Sequence, residues 1–166
     1  MTKPVAFLDR DGTLNKDSGY VHKISDFFWI PGAKKAIKYL NQKQYYVIVV
    51  TNQSGIARKM YNEDDVKILH KYMNDELNKI SAKIDDFYYS PYHPEVNNKL
   101  YNNLSNLRKP KTGMLKLAEK KWKFNKAKSF LIGDKKSDVD CAINYGIKGY
   151  QFKEPNLYEF IKKNIF

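Results

Sequence analysis

The sequence predicts an α/β fold, a Rossmann-like parallel sheet covered by helices on both faces, and three observations predict it. Short unbroken apolar runs recur along the chain, and segments with helical apolar spacing separate them. Polar turns rich in Asp, Gly and Thr directly follow the runs, where the ligand crevice of such a sheet lies.

Val5 to Leu8 is the first run and reads as a buried strand ending in Asp9-Arg10-Asp11-Gly12-Thr13. After the turn at Pro31-Gly32, Ala33, Ala36, Ile37 and Leu40 share one side of a helix over 33–40. Tyr45 to Val50 is a second strand, ending in Thr51-Asn52-Gln53-Ser54-Gly55, and it completes a βαβ unit. A helix over 63–80 follows, with Val66, Ile68, Leu69, Met73 and Leu77 broadly on one side, and a strand around Phe87-Tyr88-Tyr89 comes next. The alternation continues through a helix over 112–122, a strand over 129–132 closed by Gly133-Asp134, a helix over 137–145 stopped by Gly146, and a strand over 147–152. Pro155 opens a terminal helix. Segments 15–30 and 90–111 interrupt the pattern, and since both follow strands they are expected over the ligand face.

The 166 residues are expected to form one domain spanning 1–166, and 42% hydrophobic content supplies a core. No apolar run reaches the ~20 residues of a membrane span, and Val5 to Leu8 is too short for a signal peptide. A cytoplasmic protein with no membrane partner is therefore expected. The single cysteine, Cys141, excludes an internal disulfide and a cysteine-rich metal cluster within one chain. A net charge of +12 invites a nucleic-acid reading, but only Arg10, Arg58 and Arg108 of the 30 basic residues are arginine. A lysine-rich solvated surface is preferred to a polyanion groove, and no nucleic-acid partner is expected.

Asp9 and Asp11 flank Arg10, so strand alternation puts the two carboxylates on one face and Arg10 on the other, unless the turn that begins at Gly12 alters that geometry. Two carboxylates brought together repel unless a cation or a shared proton intervenes. Mg²⁺ suits such a site because it takes few protein carboxylates and keeps ligand positions for water and phosphate oxygens. Asp134, between a strand and a helix, should face the same crevice, although Asp134 to Asp138 read alone is a polar turn with a serine cap. All three arginines fall in the candidate site segments, and a guanidinium grips phosphate with two prongs where lysine offers a point charge. Arg108 is expected to bind a substrate phosphate. Arg10 is as well explained by a structural ion pair.

Phe7-Leu8-Asp9-Arg10-Asp11-Gly12-Thr13-Leu14, Val49-Val50-Thr51-Asn52, Lys109 before a helix, and Gly133-Asp134 with Asp138 resemble the four ordered motifs of the haloacid dehalogenase superfamily of phosphatases. The resemblance covers nearly the whole chain and implies that family's fold, without a large cap domain. It implies Asp9 as nucleophile, Asp11 as general acid and base, and Thr51 and Lys109 on the phosphoryl oxygens. Mg²⁺ would be held by the Asp9 carboxylate, the Asp11 carbonyl and Asp134, with Asp138 supporting from behind.

A narrower set of strings resembles the heptose 1,7-bisphosphate 7-phosphatase family: Gly19-Tyr20-Val21-His22, Gly55-Ile56-Ala57-Arg58, Tyr89-Ser90-Pro91-Tyr92-His93-Pro94 and Arg108-Lys109-Pro110. It implies removal of the C7 phosphate of a bisphosphorylated heptose in surface polysaccharide (lipopolysaccharide) synthesis. Asp17, Ser18, Gly19, Tyr20, Asn52, Gln53, Ser54, Arg58, Arg108 and Lys135 become substrate contacts by matching position. Histidinol-phosphate phosphatases, a nucleic-acid 3′-phosphatase and a non-catalytic protein of the same fold remain the alternatives. Where the family commonly holds zinc, the chain has Ser90, Tyr92, Ser105 and Leu107, so no zinc is expected. His93 is read as a polar loop residue, and Tyr92, Leu100, Tyr101, Leu104 and Leu107 as the packing that holds the segment. A monomer is expected.

Overall fold

In the computed structural model, which describes residues 2–166, five parallel strands stand in the order β3-β2-β1-β4-β5. They are β1 (Val5–Leu8), β2 (Tyr46–Asn52), β3 (Asp86–Ser90), β4 (Phe130–Gly133) and β5 (Lys148–Gln151). The helices are α1 (Ala33–Gln42), α2 (Glu63–Asn78), α3 (Gly113–Trp122), α4 (Lys136–Tyr145) and α5 (Leu157–Asn164). The α/β expectation holds throughout, with element ends unchanged or shifted by one or two residues. The helix expected to reach residue 80 stops at Asn78, and its start is fixed by a reciprocal cap in which Asn62 and Asp65 each accept the other's backbone N–H.

Strand alternation divides the core in two. Ala6, Leu8, Val47, Val49, Phe130 and Ile132 face α1, α2 and α5, while Val5, Phe7, Ile48, Val50 and Leu131 face α3 and α4. The central strand β1 is wholly buried, as its four-residue apolar run requires. Burying each such Leu, Ile or Val contributes roughly 1.5–3 kcal/mol. Strand order reverses between β1 and its two neighbours, and this switch point opens a crevice at the strands' carboxyl ends.

The segment between β3 and α3 is held in part as expected, by Tyr101 and Leu107. Leu100 is 76% exposed and packs nothing down. Tyr101 lies against the small cluster of Ile56, Tyr61 and Val66, and Leu107 joins the α3/α4 side of the core. Asn98 Nδ2 donates to the Ala57 carbonyl at 3.2 Å, tying this segment to the one after β2.

Candidate active site

Asp9 extends the β1 ladder by one bond, donating its N–H to the Ile132 carbonyl at 2.9 Å. The chain then turns sharply: the Arg10 carbonyl accepts from the N–H groups of Thr13, Leu14 and Asn15, and Gly12 adopts φ +81°. Strand alternation therefore ends at Arg10, which overturns the expectation that Arg10 points away from both aspartates. Its guanidinium is fully buried and donates to Asp11 Oδ1 and Oδ2 at 3.1 and 3.2 Å. Gly12 suits this turn, since the backbone is left-handed and a methyl there would push on the Asp134 carboxylate.

Lys109 reaches the crevice from the segment before α3 and is 3% exposed. Its ammonium donates to Asp9 Oδ1 at 2.8 Å, Asp138 Oδ1 at 2.6 Å and the Val50 carbonyl at 2.7 Å, which uses all three N–H groups. Burial pulls its pKa down, but the charges of Asp9 and Asp138 outweigh burial and hold it above the usual lysine value. Burial pushes the Asp9 carboxyl well up against the pull of Lys109, and burial raises Asp134 too.

Asp9, Asp134 and Asp138 each offer a carboxylate oxygen, and these oxygens all lie within 4.8 Å of one another. When all three are ionised they face one ammonium, leaving two negative charges unbalanced. Asp134 Oδ1 is buried without a hydrogen-bond partner. Both oxygens of Asp138 are engaged, Oδ1 by Lys109 and Oδ2 by the Lys135 N–H at 3.1 Å, where it caps α4. The expected serine cap is thus replaced by an aspartate, and Ser137 instead faces the cavity.

Above this cluster lies a cavity of about 310 Å³. Asp9, Asp11 and Lys109 line it, together with Asp17, Gly19, Tyr20, Asn52, Gln53, Ser54, Arg58, Arg108, Lys135 and Asp138. Of the other candidates, Ser18 is exposed outside it, Asp134 lies in the carboxylate cluster, and Thr51 lies beneath, 1% exposed. Gln53 Nε2 bonds Thr51 Oγ1 at 2.8 Å and Asp11 Oδ2 at 2.9 Å. Asn52 spends its side-chain amide on the Lys109 backbone, accepting its N–H at 3.0 Å and donating to its carbonyl at 3.2 Å.

Tyr61, His93 and Ser137 also line the cavity and escaped the sequence reading. His93 is not a bystander: an Arg58 nitrogen lies 3.4 Å from its ring, and its pKa is lowered by partial burial and by Arg108 and Arg58. The signal available was its position in a string that follows a strand. Tyr61 donates to Gln53 Oε1 at 2.5 Å and stacks on His22, with ring centroids 4.6 Å apart; nothing in its neighbourhood in sequence marks it.

A family model described as Polynucleotide kinase 3 phosphatase matches residues 4–158. A D-glycero-beta-D-manno-heptose-1,7-bisphosphate 7-phosphatase of Rhodopseudomonas palustris is 44% identical over 161 residues, covering 97% of this chain and 89% of the relative. The chain belongs to this phosphatase family. The Escherichia coli K12 member is 39% identical over 147 residues, 87% of this chain and 77% of its own. The D,D-heptose 1.7-bisphosphate phosphatase from B. bronchiseptica, complexed with magnesium and phosphate, superposes with a TM-score of 0.81 at 25% identity over 97% of this chain and 87% of that one. The fold is of the haloacid dehalogenase type: the five-stranded sheet superposes with a TM-score of 0.84 on a HAD-like phosphatase of Mesorhizobium loti that is 30% identical, over 90% of this chain and 72% of that one.

Proposed function

We propose that this phosphatase removes the C7 phosphate of D-glycero-D-manno-heptose 1,7-bisphosphate through an aspartyl-phosphate on Asp9. The observation that carries the reading is one cavity holding both the Asp9–Lys109 pair and two neighbouring guanidiniums, Arg58 and Arg108. The hydrogen bonds of Arg58 and Arg108 run to the His93 ring and the Tyr92 carbonyl, so neither charge is neutralised by a carboxylate among the described residues. Two free arginines suit a second phosphate.

In the first transfer an Asp9 oxygen bonds to phosphorus as the C7 oxygen leaves, and Asp11 gives that oxygen its proton. In the second, Asp11 takes a proton from water while the water oxygen bonds to phosphorus, and the Asp9–phosphorus bond breaks. Lys109 and Thr51 serve the phosphoryl oxygens, directly or by fixing Asp9 and Gln53. Asp17, Ser18, Gly19, Tyr20, Asn52, Gln53, Ser54 and Lys135 shape the sugar's environment.

The cluster fits Mg²⁺: the partnerless Asp134 Oδ1, the two uncompensated charges and the all-oxygen donors match a hard divalent cation. Asp9, Asp134 and the Asp11 carbonyl would hold it, while Asp138, already engaged, holds Lys109. Bound there, Mg²⁺ would supply positive charge that offsets repulsion between the nucleophilic carboxylate and the phosphoryl group. Zinc is not part of this reading, because Ser90, Tyr92, Ser105 and Leu107 are not zinc donors. One domain, residues 1–166, does the chemistry as a cytoplasmic monomer, with segments 15–30 and 90–111 over the substrate. No helix of the described residues is long and apolar enough to cross a membrane.

A phosphate-release panel with Mg²⁺ tests the reading, comparing both heptose bisphosphate anomers, histidinol phosphate and a 3′-phosphorylated oligonucleotide. A heptose bisphosphate should have the highest kcat/KM. Preference for the oligonucleotide overturns the choice of substrate.

A further inference from the structure

We propose that Arg10 and His70 form a positioning relay that fixes the Asp11 carboxyl group, which carries the proton it gives to the leaving oxygen, a role resting on Asp11 being the general acid. Arg10 is the largest fully buried side chain, and its position is set from behind. One terminal nitrogen, Nη2, donates to Asp11 and to the Val21 carbonyl at 2.5 Å; the other, Nη1, lies 3.3 Å from His70 Nε2. His70 belongs to α2, is 5% exposed, and stacks on Phe87 with ring centroids 4.3 Å apart. Burial, seconded by Arg10, keeps the imidazole neutral, so Nε2 accepts from the guanidinium and the ring proton sits on Nδ1.

This arrangement is more than a buried charge balance. An exposed Arg–Asp pair would have neutralised Asp11 without the desolvation that burying a guanidinium costs. The planar fork bonds two carboxylate oxygens, a backbone carbonyl and an imidazole at once, which an ammonium cannot span. From the other side Asn15 Nδ2 donates to Asp11 Oδ1 at 3.0 Å and Gln53 Nε2 to Oδ2 at 2.9 Å. Gln53 is locked in turn by Thr51 and Tyr61. Donors on both sides leave the carboxylate one orientation, and His70 ties that orientation to α2. Misplacing a reacting group by about 1 Å costs on the order of 100-fold in rate.

The test compares kcat/KM, which reports phosphoryl transfer to Asp9, for heptose bisphosphate and for p-nitrophenyl phosphate. The sugar alkoxide needs a proton to leave; the nitrophenolate does not. His70→Leu should lower kcat/KM for the bisphosphate about ten- to hundred-fold and for p-nitrophenyl phosphate less than about three-fold. His70→Gln, which keeps an acceptor for Arg10, should recover most of the loss. Equal losses on both substrates, or none in His70→Leu, overturn the relay. If His70→Leu does not fold, Arg10→Lys gives the same readout, because it keeps the charge and loses the fork. Asp11→Asn is the control. If it lowers both substrates equally, Asp11 is not the acid and the underlying reading falls with the relay; if it is selective and His70→Leu is not, the relay alone fails.

Discussion

Lys109 Nζ lies 2.8 Å from Asp9 Oδ1, an ion pair closed across 100 residues of sequence. Both side chains are almost completely buried, and the pair places a buried ammonium against the proposed nucleophile. A charged lysine there keeps Asp9 oriented, and in the proposed reaction it adds positive charge beside the phosphoryl oxygens.

Asp9→Asn should abolish phosphate release and leave no phosphoenzyme detectable by mass spectrometry. The fold should persist, because Lys109 keeps Asp138 and the Val50 carbonyl as acceptors. Circular dichroism and a thermal midpoint within a few degrees of the parent check that. Turnover by Asp9→Asn above about a thousandth of the parent rate would show that another group attacks phosphorus.

Lys109→Met should be costly to the protein as well as to the reaction. It leaves Asp9 and Asp138 buried without their cation, a loss of about 3–5 kcal/mol in urea unfolding without divalent metal. Mg²⁺ should restore more stability to this variant than to the parent, since binding to the folded state alone adds stability as its concentration exceeds Kd. Equal stabilisation of both by Mg²⁺ would place the metal away from these carboxylates.

Most of the sheet was legible in the sequence because buried parallel strands are short apolar runs, and β1 and β4 are wholly apolar before their acids. Asp9, Asp11 and Asp134 were legible for the same reason: each sits in a polar turn next to an element that periodicity marks, whereas Lys109 was legible only through the motifs it shares with the phosphatase family. What escaped was set by tertiary contact. Strand alternation misplaced Arg10 because three N–H groups converge on its carbonyl, a turn that Gly12 signals without showing where alternation stops. Tyr61 and His70 act on Asp11 through Gln53 and Arg10, partners 8 and 60 residues away. The hydrophobic character of Leu100 suggested packing beside Tyr101, yet Leu100 stays exposed, and a hydrogen bond from Asn98 ties the loop together with the expected Tyr101.

Gly12→Ala should damage the metal cluster selectively. The added methyl meets the Asp134 carboxylate and the left-handed backbone disfavours a side chain by about 1 kcal/mol or more. The expected result is a rise of at least ten-fold in the Mg²⁺ concentration for half-maximal activity, with a smaller loss of thermal stability. Metal titration of the phosphatase rate reads this directly, and an unchanged Mg²⁺ requirement would separate Asp134 from metal binding.

Arg108→Met should erase preference for a second phosphate. Arg108 is half-buried and shares the cavity with Arg58, so a bisphosphate loses a charge-assisted bond worth about 1.5–3 kcal/mol, while a monophosphate loses nothing there. The ratio of kcat/KM for heptose bisphosphate over heptose 7-phosphate should fall about ten-fold or more, chiefly through KM. Equal effects on both substrates would move Arg108 from the second phosphate to the reacting one.

Stability should depend on pH through His70. Its folded-state pKa lies well below the ordinary 6.5 because burial, and secondarily Arg10, disfavour the imidazolium. As pH falls below 6.5 the unfolded chain takes up a proton that the native protein refuses. Stability contributed by the neutral ring is therefore full above that pH and declines below it by about 1.4 kcal/mol per unit, until the folded-state pKa is reached. His70→Gln cannot titrate, so its stability should fall less steeply over that window while matching the parent's slope at neutral pH. Urea unfolding of both proteins at several pH values measures the difference in slope. Parallel curves would mean that His70 takes up its proton as readily in the native protein as in the unfolded chain, and below pH 6.5 Arg10 would then lose the acceptor through which α2 fixes Asp11.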